Sequence, residues 1–97
     1  MRFEIILAPA AVDDLRRLKG HWRAEVEDAI ERHLRHEPAK TSRSRIKRLR
    51  GLSKPQYRLR VGEVRIFYDV SGLSVEVLAI VAKSQTEAWL KRAGELI

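Results

Sequence analysis

Tyr57-Arg58-Leu59-Arg60-Val61-Gly62-Glu63-Val64-Arg65-Ile66-Phe67-Tyr68 reads as two short strands joined by a tight turn at Gly62-Glu63. Tyr57, Leu59 and Val61 alternate with Arg58 and Arg60, the period-2 pattern of a half-buried strand. Val64, Ile66 and Tyr68 continue the alternation on the return strand, with Arg65, Phe67 and Asp69 on its other side. A two-residue loop at Gly62-Glu63 pairs Val61 with Val64 and Arg60 with Arg65. Residues directly opposite share a face, so two arginines stand side by side and Arg58 is next in the row. Like charges placed this way destabilise a sheet by roughly 0.2–1 kcal/mol. A surface that accepts this cost is suited to hold an anion, and phosphate is the obvious one.

Outward from the hairpin, Ser71-Gly72 supplies a turn and Leu73 to Ala82 reads as a third strand. Leu73, Val75, Val77, Ala79 and Val81 share one face. Leu78, Ile80 and Ala82 make the other face apolar as well, so this strand is expected to be central and covered on both sides. A last helix is expected to start at a capping box, Ser84 with Glu87 three residues on, and to run to the C-terminus through Trp89, Leu90, Ala93, Leu96 and Ile97. Upstream, Arg2 to Ala8 reads as a first strand, Phe3-Glu4-Ile5-Ile6-Leu7. Pro9 opens a helix bearing Val12, Leu15 and Leu18. A second helix runs from about His21 to Glu37, with Trp22, Val26, Ala29, Ile30 and Leu34 as its apolar stripe and Pro38 as its stop. The acidic outer face of this helix argues against its lying in a DNA groove. From Ala39 to Gln56 the chain is polar and basic, anchored by Leu49 and Leu52. The expected order is β-α-α-β-β-β-α: an α+β fold with an N-terminal helical hairpin packed on a small antiparallel-rich sheet, its helices on one side.

With 97 residues the chain has length for one domain, 1–97. Its 44% apolar content suits a folded protein. The absence of cysteine excludes disulfides and thiolate metal sites. Neither a signal peptide nor an apolar run of about 20 residues is found, so a cytoplasmic protein without a membrane span is expected. The formal net charge is +7, which attracts polyanions. The distribution is uneven. Lys40, Arg43, Arg45, Lys47, Arg48, Arg50 and Lys54 follow one another with no acid among them, while Glu25, Glu27, Asp28 and Glu31 gather on the second helix. Segregation of cations next to the arginine hairpin favours one polyanion-binding face.

Few other constellations carry chemistry. The glycines are single, so no phosphate-cradling loop forms, and no Ser/His/Asp arrangement is evident. His33 and His36 stand three apart on a helix, but two histidines make no metal site. No metal and no cofactor is expected. Lys83 stands where the third strand ends and the last helix starts. A cation there does not complement the helix dipole, so a negative group nearby explains it better.

Leu49-Arg50-Gly51-Leu52, Tyr57-Arg58-Leu59-Arg60-Val61-Gly62, Val64-Arg65-Ile66-Phe67-Tyr68 and Val77-Leu78-Ala79-Ile80-Val81-Ala82-Lys83 together resemble the RelE/ParE superfamily of bacterial toxins, over nearly the whole chain. The superfamily includes ribosome-dependent mRNA endonucleases, which are RelE-like, and gyrase poisons, which are ParE-like. For a RelE-like toxin the resemblance implies catalytic roles for Arg58, Arg60, Arg65 and Lys83. Arg43, Arg45, Lys47, Arg48, Arg50 and Lys54 would then grip flanking RNA. The usual tyrosine of the last helix falls at or near Trp89, which has no hydroxyl and serves for stacking on a base. The implied partners are a cognate antitoxin, the ribosome with its mRNA, and operator DNA through the antitoxin complex. A gyrase inhibitor, or a weakly active homologue acting mainly as an antitoxin partner, are the alternatives.

Overall fold

The computed structural model describes all residues, Met1–Ile97. β4 (Tyr57–Val61) and β5 (Val64–Ser71) form the expected hairpin, with Val61 opposite Val64 and Arg60 opposite Arg65. Gly62 takes a φ of 57° in the loop, the left-handed conformation that such two-residue turns require. β6 (Ser74–Ala82) returns antiparallel to β5 and occupies an inner position. β1 (Glu4–Leu7) pairs parallel to β6 at one edge, and β2 (Ile46–Arg48) pairs antiparallel to β4 at the other. The sheet order is therefore β1-β6-β5-β4-β2.

The helical hairpin, α1 (Pro9–Arg17) and α2 (Gly20–Leu34), covers one face. Ala11, Val26, Ile30 and Leu34 meet Leu59, Ile66, Tyr68, Val75 and Val77 in the core. Burying these side chains is the main driving force, at roughly 1.5–3 kcal/mol for each large one. The Arg23 guanidinium holds the link between the helices. It donates to the carbonyls of Leu15, Arg16 and Leu18 at 3.3, 3.1 and 3.1 Å, bonding to acceptors at the end of α1.

Several expectations need correction. α3 (Thr86–Ala93) does not join the other helices: Trp89 stacks on Phe67 with ring centroids 4.8 Å apart and planes 14° apart. Phe67 points away from the Ile66–Tyr68 core, so helices lie on both faces of the sheet. The Ser84 cap does not form. Lys83–Gln85 makes a 3-10 turn instead, and Thr86 Oγ1 donates to the Lys83 carbonyl at 2.8 Å. The last helix ends at Ala93 rather than at the C-terminus, and Leu96, 82% exposed, belongs to β7 (Glu95–Leu96). β7 pairs with β3 (Leu52–Lys54). The basic 40–54 stretch thus holds two short strands, and its buried anchor is Ile46, with Leu49 and Leu52 only half buried.

The alternation read from Leu73 to Val81 is also broken. Phe67 pairs with Ala79 but Tyr68 pairs with Val77, so Leu78 is the extra residue of a bulge. Val75 and Val77 before it and Ile80 after it therefore reach the same core. The bulge lies where β6 has passed the end of β1. The Ile80 N–H finds the Asp14 Oδ2 of α1 at 2.9 Å in place of a strand partner.

Candidate functional site: a cationic sheet face

Strand register assembles the site. Lys47 lies opposite Arg58, Arg58 opposite Phe67, Arg60 opposite Arg65, and Arg65 opposite Val81. These residues alternate with Ile46, Leu59 and Ile66, which enter the core. Lys47, Arg58, Arg60 and Arg65 therefore share the face turned away from α1 and α2. None of them has a carboxylate partner: the ion pairs of the chain are Arg17–Asp14, Arg32–Asp28, Arg35–Glu31 and Lys40–Glu37.

The three arginines differ in what they are free to do. Arg65 is 7% exposed, and its Nη1 donates to the carbonyls of Gly62 at 2.7 Å and Val64 at 3.1 Å. It braces the hairpin turn from within. Arg58 is half-buried; its Nη2 makes only a 3.5 Å contact to the Ser44 carbonyl, and its buried Nε has no acceptor. A buried donor without a partner costs about 1–3 kcal/mol, more for a charged group. Arg60 is exposed and its side chain makes no hydrogen bond or ion pair. Burial holds the Arg58 guanidinium below its usual value, and the charges of Arg65 and Arg60 push the same way. Arg65 is lowered by burial and by Arg60, with Glu63 opposing. Guanidinium stays protonated under such shifts, so the face remains cationic.

Lys83 reaches this neighbourhood by a main-chain bond. Its N–H donates to the Glu63 carbonyl at 2.8 Å, beside the Val64–Ala82 pair. The Lys83 side chain is exposed and shares a hollow with Glu63, Ser84, Thr86 and Glu87. The sequence singled out Glu63 only as a turn residue and Glu87 only as a capping residue; the fold brings both beside Lys83. Trp89 abuts the row through Phe67, which occupies one face of its indole ring.

The remaining basic residues scatter. Arg45 joins Arg60 and Gly62 around a shallow hollow, and its carbonyl accepts the Arg60 N–H at 2.9 Å. Arg43 and Arg50 are exposed in connecting segments. Arg48 points to the opposite side of β2 from Lys47. It donates to the Gln56 carbonyl at 2.7 Å and lies 5.2 Å from the Tyr57 ring centre. Lys54 lies in the small β3–β7 sheet opposite Glu95. Neither Arg48 nor Lys54 is brought to the row.

The family model described as the ParE toxin of the type II toxin–antitoxin system parDE matches residues 5–87. Among solved structures, a mutant of the E. coli toxin RelE in the free state superposes with a TM-score of 0.72 at 19% identity, covering 96% of this chain and 99% of that one. The RelB–RelE antitoxin–toxin complex from Methanococcus jannaschii gives 0.66 at 24% identity, over 87% and 96%. The archaeal RelE–RelB complex from Pyrococcus horikoshii OT3 gives 0.63 at 23% identity, over 88% and 99%. At these identities the likeness establishes the fold. No curated protein is a significant match to the sequence. No helix is long and apolar enough to cross a membrane.

Proposed function

Because the chain belongs to the ParE toxin family, within the RelE/ParE superfamily of type II toxin–antitoxin toxins, we propose that it acts as one toxin domain cleaving mRNA on the ribosome. One observation carries this reading: Lys47, Arg58, Arg60 and Arg65 share one sheet face and none of them is paired with a carboxylate. A phosphodiester supplies the negative charge that this row lacks.

The reaction that suits such a site is attack of the substrate's own 2′-hydroxyl on the adjacent phosphorus. A bond forms between O2′ and phosphorus while the bond to O5′ breaks. The proton of the 2′-hydroxyl leaves to a base and the departing O5′ takes a proton. The products are a 2′,3′-cyclic phosphate and a 5′-hydroxyl. The protein's share is to align the sugar-phosphate and to stabilise charge on the phosphoryl oxygens. Arg58 and Arg60 take that electrostatic role, with Lys47 on flanking backbone. Arg65 holds the turn that presents them. Lys83 is the candidate for proton transfer, and Trp89 supports the row through Phe67 rather than supplying a hydroxyl.

A cognate antitoxin is the natural protein partner. The M. jannaschii and P. horikoshii relatives are complexes of RelE with RelB, and the net charge of +7 suits an acidic ligand.

One observation favours a gyrase-directed toxin instead: the matching family model is that of ParE. Inducing the chain in cells, mapping mRNA 5′ ends and assaying plasmid supercoiling decide the matter. New cuts at codon-spaced positions within translated messages are expected. Changed supercoiling without cuts would overturn the endonuclease reading.

A further inference from the structure

We propose that the hollow between the end of α2 and the 40–46 segment is a second phosphate position, taking the RNA backbone that flanks the arginine row. This rests on the RNA-directed reading above. Arg32 and His33 form one wall, and Lys40, Thr41, Ser42 and Arg45 form the other. The only acid lining it is Glu37, which pairs at 3.6 Å with Lys40, both side chains about two-thirds exposed. Such a surface pair exchanges readily for a stronger anion.

Two details point to an anionic ligand rather than to a solvated rim. Ser42 Oγ already accepts the N–H groups of Arg45 at 3.0 Å and Ile46 at 3.2 Å. With both lone pairs engaged, its hydroxyl retains only a proton to donate. Arg45 has no hydrogen bond or ion pair through its side chain. A fixed hydroxyl donor beside the unpaired Arg45 guanidinium is a donor set that phosphate oxygens take.

Arg45 also makes the hollow continuous with the catalytic face. The neighbouring depression at Ser44, Arg45, Arg60 and Gly62 contains no acid. The alternative route, between Arg60 and α2, is flanked by Glu25 and Asp28, which repel phosphate. The backbone therefore runs from the row past Arg60 and Arg45 into the Ser42 hollow, along the β2 side.

The test uses fluorescence anisotropy of the purified chain with a short 2′-O-methyl oligouridylate, which cannot be cleaved, over a range of salt. The double variant Arg32→Gln, Lys40→Gln is expected to bind about 3- to 10-fold more weakly at 0.1 M salt, with a salt slope lower by about 0.7 for each phosphate no longer neutralised. The charge-matched control Arg17→Gln, Lys19→Gln is expected to bind as wild type. An unchanged affinity and slope in the first variant, or an equal loss in the control, overturns the inference. So does a wild-type chain without salt-dependent binding. The 5′-end mapping in cells judges the endonuclease reading separately.

Discussion

The Lys83 N–H donates to the Glu63 carbonyl across 2.8 Å, tying the end of β6 to the tip of the arginine hairpin. The bond is main chain to main chain, so it holds the position while leaving the Lys83 side chain free. Two segments separated by the whole of β5 and β6 are thereby fixed at one end of the cationic face.

The proton-transfer role proposed for Lys83 can therefore be tested apart from the scaffold. Lys83→Ala keeps the bond and should fold as wild type. We expect its cleavage rate on translating ribosomes to fall by about 10²–10⁴-fold, the usual size of a lost proton-transfer group, with RNA affinity changed only a few-fold. Single-turnover cleavage and binding measured side by side check this. Equal losses in both would remove Lys83 from the chemistry.

Gly62 meets two demands at once. Its φ is 57°, and a Cβ built there lies 3.0 Å from Cη2 and Cζ3 of the Trp22 ring. Gly62→Ala should destabilise the chain by about 1–3 kcal/mol through left-handed strain and crowding. In a Trp22→Ala background the crowding part disappears, so the added cost of Gly62→Ala should shrink. Urea denaturation of the four proteins measures the difference; identical costs in both backgrounds would mean that Trp22 gives way freely.

Tyr68 is buried, stacks on Tyr57 at 5.4 Å, and donates from its hydroxyl to the Pro38 carbonyl at 2.6 Å. Tyr68→Phe leaves that carbonyl unpaired and should cost about 1–3 kcal/mol. Burial, and then Tyr57, push the Tyr68 hydroxyl above its usual value of 10.0. In the unfolded chain the phenol ionises near that usual value, while in the fold it keeps its proton. The contribution is therefore complete below pH 10.0 and is lost as pH rises beyond it. The gap in melting temperature between wild type and Tyr68→Phe should narrow in strong alkali.

Asp14 carries the bulge in β6. Its Oδ2 accepts the Ile80 N–H at 2.9 Å, at a place where no strand continues. Asp14→Ala should cost about 1.5–3 kcal/mol, as for other hydrogen bonds to a charged group. Asp14→Asn keeps a side-chain carbonyl and should recover most of the loss. Failure of Asn to rescue would shift the importance to the Asp14–Arg17 ion pair at 3.5 Å. Chemical denaturation of the three chains distinguishes the cases.

Local pattern carried much of the fold. The alternation through Tyr57–Tyr68 set both strands of the hairpin and the Arg60–Arg65 pairing. The stripe Trp22, Val26, Ala29, Ile30 and Leu34 identified the buried side of α2. Patterns of two and of 3–4 residues are properties of neighbouring residues, so one chain read in order suffices for them. The bulge at Leu78 left no such mark. A one-residue insertion between two apolar faces looks the same whichever side each residue takes. Strands β2, β3 and β7 are two or three residues long, too short for a period to show.

The site divides in the same way. The order of residues determined that Arg58, Arg60 and Arg65 belong to one face, because register and alternation follow from a two-residue turn. Tertiary structure alone decided what each arginine does there. Arg65 bends back onto the Gly62 and Val64 carbonyls, Arg60 is left open, and the Arg58 Nε is buried without a partner. Lys83 and Arg45 come to the row, while Arg48 turns to Tyr57 and Gln56. A guanidinium on a long, flexible stem goes where acceptors and packing space lie, and those are supplied by residues distant along the chain.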